Sequence, residues 1–119
     1  MRLGLIINPT SGKGNGKVHG ELAKRTFQQA GEEVIDLSAD SFEAARINGE
    51  AAIANGEIDA LIVAGGDGMA HLGVNLCAGT NVTMGLIACG TGNDAARTLG
   101  LPLVDGVAGA KTILQNLSL

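Results

Sequence analysis

The sequence predicts an α/β domain with a doubly wound, mainly parallel sheet and helices on both of its faces. Three observations carry this prediction: short apolar runs alternate with segments of helical periodicity, glycine-rich turns follow several of the runs, and aromatic residues are scarce. With two Phe and no Trp or Tyr, aliphatic side chains must build the core. Aliphatic strands buried on both faces are typical of parallel sheets covered by helices.

Strands and helices are predicted to alternate along a single domain of 119 residues. Apolar runs that end in polar or glycine-rich turns predict strands at 3–7, 34–37, 60–64 and 84–88. Helical spacing and stop signals predict helices at 17–30, 41–55, 69–78, a short segment ending at Leu99, and 105–115. The apolar faces of the first two helices are expected to comprise Leu22, Ala23, Phe27 and Ala30, and then Phe42, Ala45, Ala52 and Ile53.

Composition excludes several classes of function. The net charge of −4 argues against general nucleic-acid binding, which needs a cationic surface. No signal peptide precedes the first strand and no apolar run is long enough to span a bilayer, so a cytoplasmic protein is expected. Cys77 and Cys89 lie alone in apolar surroundings without metal-ligand spacing, which favours structural thiols in a reducing compartment and no protein-held metal.

A glycine-rich turn, Gly65-Gly66-Asp67-Gly68, follows the third predicted strand. Glycines let a phosphate oxygen approach the backbone N–H groups closely, and the positive end of the next helix adds to that attraction. Asp67 fits beside phosphates if it reaches a magnesium ion, directly or through water, or orients a phosphate-bound water. The alternative is a tight turn in which Asp67 caps a helix that begins at Met69.

Two further clusters follow other predicted strands, and in a parallel sheet all three lie at the carboxyl edge, where ligands bind. After the fourth strand come Gly90, Thr91, Gly92, Asn93 and Asp94, of which the last two either meet a ligand or cap a helix. After the first strand come Asn8, Pro9, Thr10, Ser11 and Gly12. Lys13 and Lys17 lie beside this cluster and either face phosphate or solvent. The run from Gly12 to Lys17 is not a Walker A loop, because it has one residue too few between its glycines and Val18 stands where a Ser or Thr should hold magnesium.

Together these residues resemble a known family. The motifs Asn8-Pro9-x-Ser11-Gly12, Gly65-Gly66-Asp67-Gly68 and Gly90-Thr91-Gly92-Asn93-Asp94-x-Ala96-Arg97, in this order and over nearly the whole chain, look like the catalytic domain of diacylglycerol kinases and related lipid kinases. The resemblance implies the fold shared with the N-terminal domains of phosphofructokinases and NAD kinases. It also implies ATP with Mg²⁺ as the phosphate donor and a lipid hydroxyl at the membrane surface as the acceptor.

The resemblance further implies which residues contact ATP. They are Asn8 to Gly12, a residue that ends strand two such as Ser38, the run Gly65, Gly66, Asp67, Gly68, Met69, Ala70 and His71, and Thr91. The family usually has Thr, Asn and Glu where this chain has Met69, His71 and Leu72. Members also carry a second, β-rich domain with the acceptor site and the proposed general base. The chain is therefore expected to be a fragment, inactive alone, whose apolar last helix could pair with a second copy.

Two other functions are also compatible with the sequence. A kinase that resembles NAD kinase or phosphofructokinase would also use a Gly-Gly-Asp-Gly turn. A regulatory domain that binds a nucleotide without catalysis is favoured by Met69 and Leu72, because apolar side chains replace polar ones there. The clusters around Asn8 and Thr91 favour the lipid kinases over both.

Overall fold

The described part of this computed structural model, residues 1–7, 15–88 and 113, is built around one parallel sheet. The elements are β1 (Arg2–Ile7), α1 (Asn15–Gln29), β2 (Glu33–Asp36), α2 (Phe42–Ala54), β3 (Ala60–Gly65), α3 (Asp67–Cys77) and β4 (Thr83–Ala88). The strand order is β2-β1-β3-β4, and every neighbouring pair is parallel. The predicted doubly wound α/β fold is confirmed. The helices predicted near Leu99 and at 105–115 lie outside the described residues, apart from Ile113, which is helical.

Alternate residues of the central strands enter two separate cores. Ala60, Ile62 and Ala64 of β3 belong to the cluster that contains Phe27 of α1. Leu61 and Val63, between them, belong to the cluster that contains residues of α2 and α3. This period of two is what a strand buried on both faces requires. The helices consequently cover both faces of the sheet, with α1 on one side and α2 and α3 on the other.

The ends of the first two helices follow the predicted signals. Gly31 (φ 88°) and Gly56 (φ 67°) both adopt the left-handed conformation that favours glycine just past a helix. Ser41 is the N-cap of α2, and its hydroxyl accepts a hydrogen bond from the Ala44 N–H at 3.1 Å. The structure therefore starts α2 at Phe42, one residue after the predicted first residue.

Two apolar positions were wrongly assigned to helix faces. Phe42 is 51% exposed, because the buried stripe of α2 consists of the small residues Ala45, Gly49 and Ala52. Its ring lies in the first turn of α2 and borders the groove between α2 and α3 instead of entering the core. Ala30 is also exposed, since α1 ends at Gln29 and Ala30 belongs to the following turn.

Helix α1 packs closely on the sheet at Gly20. A Cβ atom built on Gly20 would lie 2.6 Å from Cγ1 and 2.8 Å from both Cδ1 and Cγ2 of Ile7. Ile7 is buried, so its side chain has little room to move away. The glycine thus fixes the distance between α1 and the last residue of β1.

Overpacking usually costs about 1–3 kcal/mol, and alanine gains about 1 kcal/mol over glycine in a helix interior. We therefore expect Gly20→Ala to lower the free energy of unfolding by up to about 2 kcal/mol. Urea unfolding followed by circular dichroism measures the effect, with the exposed neighbour Glu21→Ala as control. A Gly20→Ala variant more stable than the unsubstituted chain would contradict the close approach.

Candidate functional site

The carboxyl ends of β1, β3 and β4 lie side by side. Ile7 is paired with Ala64, Ala64 with Ile87, and Gly65 with Ala88. Asn8 follows Ile7 and Cys89 follows Ala88 in the sequence, so all three predicted glycine-rich segments start from this edge. β2 lies on one side of β1, whereas β3 and β4 lie on its other side, so the direction of strand order reverses between β1 and β3. Ligands of open parallel sheets bind at such a switch point.

The turn from β3 into α3 differs from the predicted one. The helix begins at Asp67, two residues before the predicted Met69, and Gly66 is the N-cap with φ −99° and ψ −153°. The alternative that Asp67 caps a helix from Met69 is therefore wrong, because Asp67 is already helical. A glycine N-cap offers no side chain to the N–H groups of the first turn. Those donors and the helix dipole favour an anion at this end.

Gly68 has open space above it. Among the described residues, a Cβ atom built there would meet no heavy atom within 4 Å, and its backbone is outside the left-handed region. By contrast, a Cβ at Gly49 would lie 2.8 Å from Leu76 Cδ1, and one at Gly73 would lie 2.8 Å from Met84 Cε. Neither the conformation nor the packing of the described residues requires glycine at position 68. What Gly68 provides is room over the first turn of α3.

The next residues of α3 divide between the core and the surface. Met69, Ala70 and Leu72 are buried in the cluster that includes Val63, and the N–H groups of Met69 and Ala70 both donate to the Gly66 carbonyl at 3.1 Å. Met69 and Ala70 therefore offer a ligand no polar side chain, and their N–H groups are already engaged with the Gly66 carbonyl. Leu72 also packs inward. His71 is exposed and borders a groove of about 130 Å³ between α2 and α3, which Phe42, Arg46, Glu50, Leu72, Asn75 and Leu76 also line.

Ser38 follows β2 at the same edge of the sheet. Its hydroxyl oxygen accepts a hydrogen bond from the Ile7 N–H at 2.8 Å, and its own N–H donates to Asp36 Oδ1 at 2.9 Å. The candidate at the end of strand two thus lies against the last residue of β1, directly before Asn8. Sequence reasoning missed both Asp36 and Asn48. The side-chain amide of Asn48 donates to the Leu37 carbonyl at 3.1 Å. No local pattern marks Asn48, because its partner is eleven residues away.

The carboxyl group of Asp36 is held in its charged form. Partial burial would raise its pKa, but hydrogen bonds from Ser38 and the charge of Lys24 together lower the pKa below its usual value of 3.8. Lys24 Nζ lies 3.5 Å from Asp36 Oδ2. Asp36 therefore ties the end of β2 to α1 and to Ser38.

Several predicted contacts lie outside the described residues and stay predictions. They are Asn8, Pro9, Thr10, Ser11, Gly12, Gly90, Thr91, Gly92, Asn93 and Asp94, and the placement of the Asp67 side chain is likewise not described. Within the described ranges, no three His, Cys, Asp or Glu side chains come together as a metal cluster. In the same ranges, no helix has the length and apolar character needed to cross a membrane. Burial raises the pKa of the Cys77 thiol, as expected of a structural cysteine.

Comparison with known proteins gives a consistent family. The family described as "Diacylglycerol kinase catalytic domain" matches residues 2–118. The chain is 36% identical over 113 residues to a diacylglycerol kinase of Mycobacterium tuberculosis, covering 93% of this chain and 36% of that protein. It is 37% identical to a diacylglycerol kinase of Bacillus subtilis, covering 98% of this chain and 39% of that protein.

A solved structure supports the same relationship. A diacylglycerol kinase from Bacillus anthracis superposes with a TM-score of 0.78 at 26% identity, over 97% of this chain and 40% of that one. The chain thus spans well under half the length of the relatives that it matches.

We expect Asp36→Asn to lower the free energy of unfolding at pH 7 by about 0.2–1 kcal/mol, the range of a solvent-screened ion pair. The amide oxygen can still accept from the Ser38 N–H, so the substitution removes mainly the charge. The pKa of Asp36 is lower in the folded state than its usual value of 3.8. The stabilisation is therefore present above pH 3.8 and is lost as the pH falls through the folded-state pKa. Urea unfolding should show a smaller difference in stability between Asp36→Asn and the unsubstituted chain at pH 3 than at pH 7. Asp40→Asn, at an exposed position, serves as control. A difference that grows on acidification would contradict this assignment.

Proposed function

Since this chain belongs to the diacylglycerol kinase catalytic domain family, we propose that it binds ATP and Mg²⁺ at the carboxyl edge of its sheet. In the full-length protein the γ-phosphate passes to a lipid hydroxyl. The open space over Gly68, at the switch point between β1 and β3, is the observation that carries this proposal. The relatives named diacylglycerol kinase support it.

The phosphates of ATP would lie over the first turn of α3. Gly66 and Gly68 leave the backbone exposed to a ligand. The N–H groups at the start of a helix precede its first i→i−4 bond, which here is donated by Ala70, so the proposal relies on the N–H groups of Asp67 and Gly68. Phosphoryl transfer depends mainly on positioning and charge stabilisation, which fixed backbone donors supply without reorganising. This turn is therefore suited to hold the β- and γ-phosphates.

Asp67 is the residue proposed to act on magnesium, which neutralises phosphate charge when bound. Mg²⁺ usually keeps several waters and takes one or two carboxylates together with substrate phosphates. A single carboxylate at the first position of α3, beside a phosphate cradle, fits that coordination habit. Asp67 would thus organise the magnesium and phosphates directly or through water, without a cage of protein ligands.

The remaining predicted contacts surround this turn in the proposal. Asn8, Pro9, Thr10, Ser11 and Gly12 follow β1, and Gly90, Thr91, Gly92, Asn93 and Asp94 follow β4, which ends beside Gly65. Ser38 would contribute from the end of β2, and His71 from the rim of the groove beside α2. The lipid would be met at a membrane surface by parts of the protein beyond this chain.

Met69 and Leu72 support a second candidate, a domain that binds a nucleotide without transferring phosphate. Both side chains are apolar and buried in the core, so neither supplies a polar group to the site. If the Thr hydroxyl usual in the family donates to a phosphate, its loss costs about 1.5–3 kcal/mol of binding. Incubating full-length protein with ATP and diacylglycerol, NAD or a sugar phosphate separates the candidates. Phosphorylated lipid supports the lipid kinase, while nucleotide binding without any product supports the second candidate.

We expect Gly68→Ala to weaken MgATP binding by about tenfold or more, because the added methyl group occupies the space proposed for phosphate. A loss of tenfold corresponds to about 1.4 kcal/mol. Protein stability should stay equal or rise by up to about 1 kcal/mol, since alanine favours the helix and meets no protein atom. Calorimetric titration of full-length protein gives the Kd, and thermal unfolding without nucleotide gives the stability.

Val74→Ala is the matched control for this substitution. Val74 lies on the same helix, is exposed, and is outside the proposed site. The control should leave the Kd for MgATP unchanged. Equal Kd values for Gly68→Ala and the unsubstituted protein would place the phosphates elsewhere.

We expect Asp67→Asn to lower kcat in the full-length protein by about 10–100-fold, the usual cost of losing a group that orients a metal and its waters. The activity should depend on higher Mg²⁺ concentrations than in the unsubstituted protein. The assay is ATP-dependent lipid phosphorylation over a magnesium titration. Glu33→Gln, an exposed change at the opposite edge of the sheet, serves as control. An unchanged kcat and magnesium dependence would remove Asp67 from the site.

A further inference from the structure

The ladder between β1 and β2 stops one hydrogen bond short of the carboxyl edge. Leu5 and Asp36 are its last paired residues, and the Leu37 N–H still donates to the Leu5 carbonyl at 2.8 Å. The next bond of a parallel ladder would run from the Ile7 N–H to the Leu37 carbonyl. Both groups are instead bound by side chains. The Ile7 N–H donates to Ser38 Oγ at 2.8 Å, and the Leu37 carbonyl accepts from Asn48 Nδ2 at 3.1 Å.

A third side-chain contact turns the chain out of the sheet at the same place. Asp36 Oδ1 accepts from the Ser38 N–H at 2.9 Å, which is the hydrogen bond of an Asx turn. Such local bonds compete with continued pairing of the backbone. Because each backbone group has a side-chain partner, the end of the ladder is specified by Asp36, Ser38 and Asn48. Ordinary fraying would leave these groups to water.

The other two ladders extend further. The β1–β3 ladder continues to Ile7 and Ala64, and the β3–β4 ladder to Gly65 and Ala88. At the carboxyl end of β1, backbone pairing has therefore stopped on the side of β2 but continues on the side of β3. The unpaired end adjoins the switch point at which the nucleotide is proposed to bind.

We propose that Ser38 and Asn48 are positioning residues for nucleotide binding. By bonding to the Ile7 N–H and the Leu37 carbonyl, they keep β2 from pairing with the last residue of β1. The end of β1 on its β2 side, which we call the entrance, is thereby left open to the nucleotide. This inference rests on the proposed function. Asn48 acts through Leu37, since its amide is already engaged there. A residue placed as Asn48 is can influence binding without touching the ligand, whereas Ser38 is also a proposed contact of ATP.

The two side chains can be tested by a double-substitution cycle in the full-length protein. Ser38→Ala leaves the Ile7 N–H without its acceptor, and Asn48→Ala leaves the Leu37 carbonyl without its donor. In the double variant these two backbone groups can bond to each other. The loss of stability in the double variant should therefore be smaller than the sum of the two single losses.

Nucleotide binding should follow the opposite trend. The Kd for MgATP is expected to rise a few-fold in Asn48→Ala and about tenfold or more in the double variant, because the extra bond closes the entrance. Hydrogen exchange of the Ile7 amide should be faster in Ser38→Ala than in the unsubstituted protein and slow again in the double variant. A residue that served stability alone would not make affinity fall while stability recovers.

Two controls separate positioning from other effects. Ser38→Thr keeps the hydroxyl that accepts from the Ile7 N–H, so hydrogen exchange of the Ile7 amide should stay as slow as in the unsubstituted protein. Ile47→Ala changes an exposed neighbour of Asn48 and should leave both stability and Kd nearly unchanged.

The outcomes distinguish this inference from the function on which it rests. If the unsubstituted protein binds MgATP and the double variant binds it equally well, the positioning role is wrong and the proposed function stands. Additive losses of stability would also overturn it. If the unsubstituted protein binds no MgATP, the proposed function is wrong and the positioning role fails with it.

Discussion

The parallel pairing of β1 with β3 is the constraint on which the rest of the structure depends. Five consecutive residue pairs, from Leu3 with Ala60 to Ile7 with Ala64, join the two strands at the centre of the sheet. Because both strands are buried on both faces, each needs helices above and below. Helix α1 on one face and helices α2 and α3 on the other meet this need, and the connections through them place β2 outside β1 and β4 outside β3. That choice creates the switch point, and the switch point sets the place at which a ligand can meet several loops at once.

Glycine has two different uses around this centre. Gly20, Gly49 and Gly73 lie where a Cβ would collide with a buried side chain, so they let helices approach the sheet or each other. Gly68 lies where a Cβ would touch none of the residues that the structure describes, although it belongs to a helix, in which glycine is less favourable than alanine. A residue that lowers helix stability without serving the packing is best explained by a ligand that needs the space. This contrast is why the proposed phosphate site rests on Gly68 more than on the glycine count.

Much of the fold could be predicted from the sequence because its signals are local. Apolar runs marked the strands, and Gly31 and Gly56 marked two helix ends by their need for positive φ. The start of α3 was misplaced because Asp67 resembles a cap, whereas Gly66 holds that position. Phe42 was misassigned because spacing alone does not say where a helix extends past its packing partners. The bonds of Ser38 to Ile7 and of Asn48 to Leu37 join residues far apart in sequence, so only the fold reveals them.

The central claim is that ATP phosphates lie over the first turn of α3 at the β1–β3 switch point. A crystal structure of the full-length protein with Mg²⁺ and a non-hydrolysable ATP analogue tests it most directly. We expect phosphate oxygens within about 3 Å of backbone nitrogens in Gly65-Gly66-Asp67-Gly68, the ordinary N–H···O distance. A triphosphate bound elsewhere, with the space over Gly68 filled only by water, would contradict it.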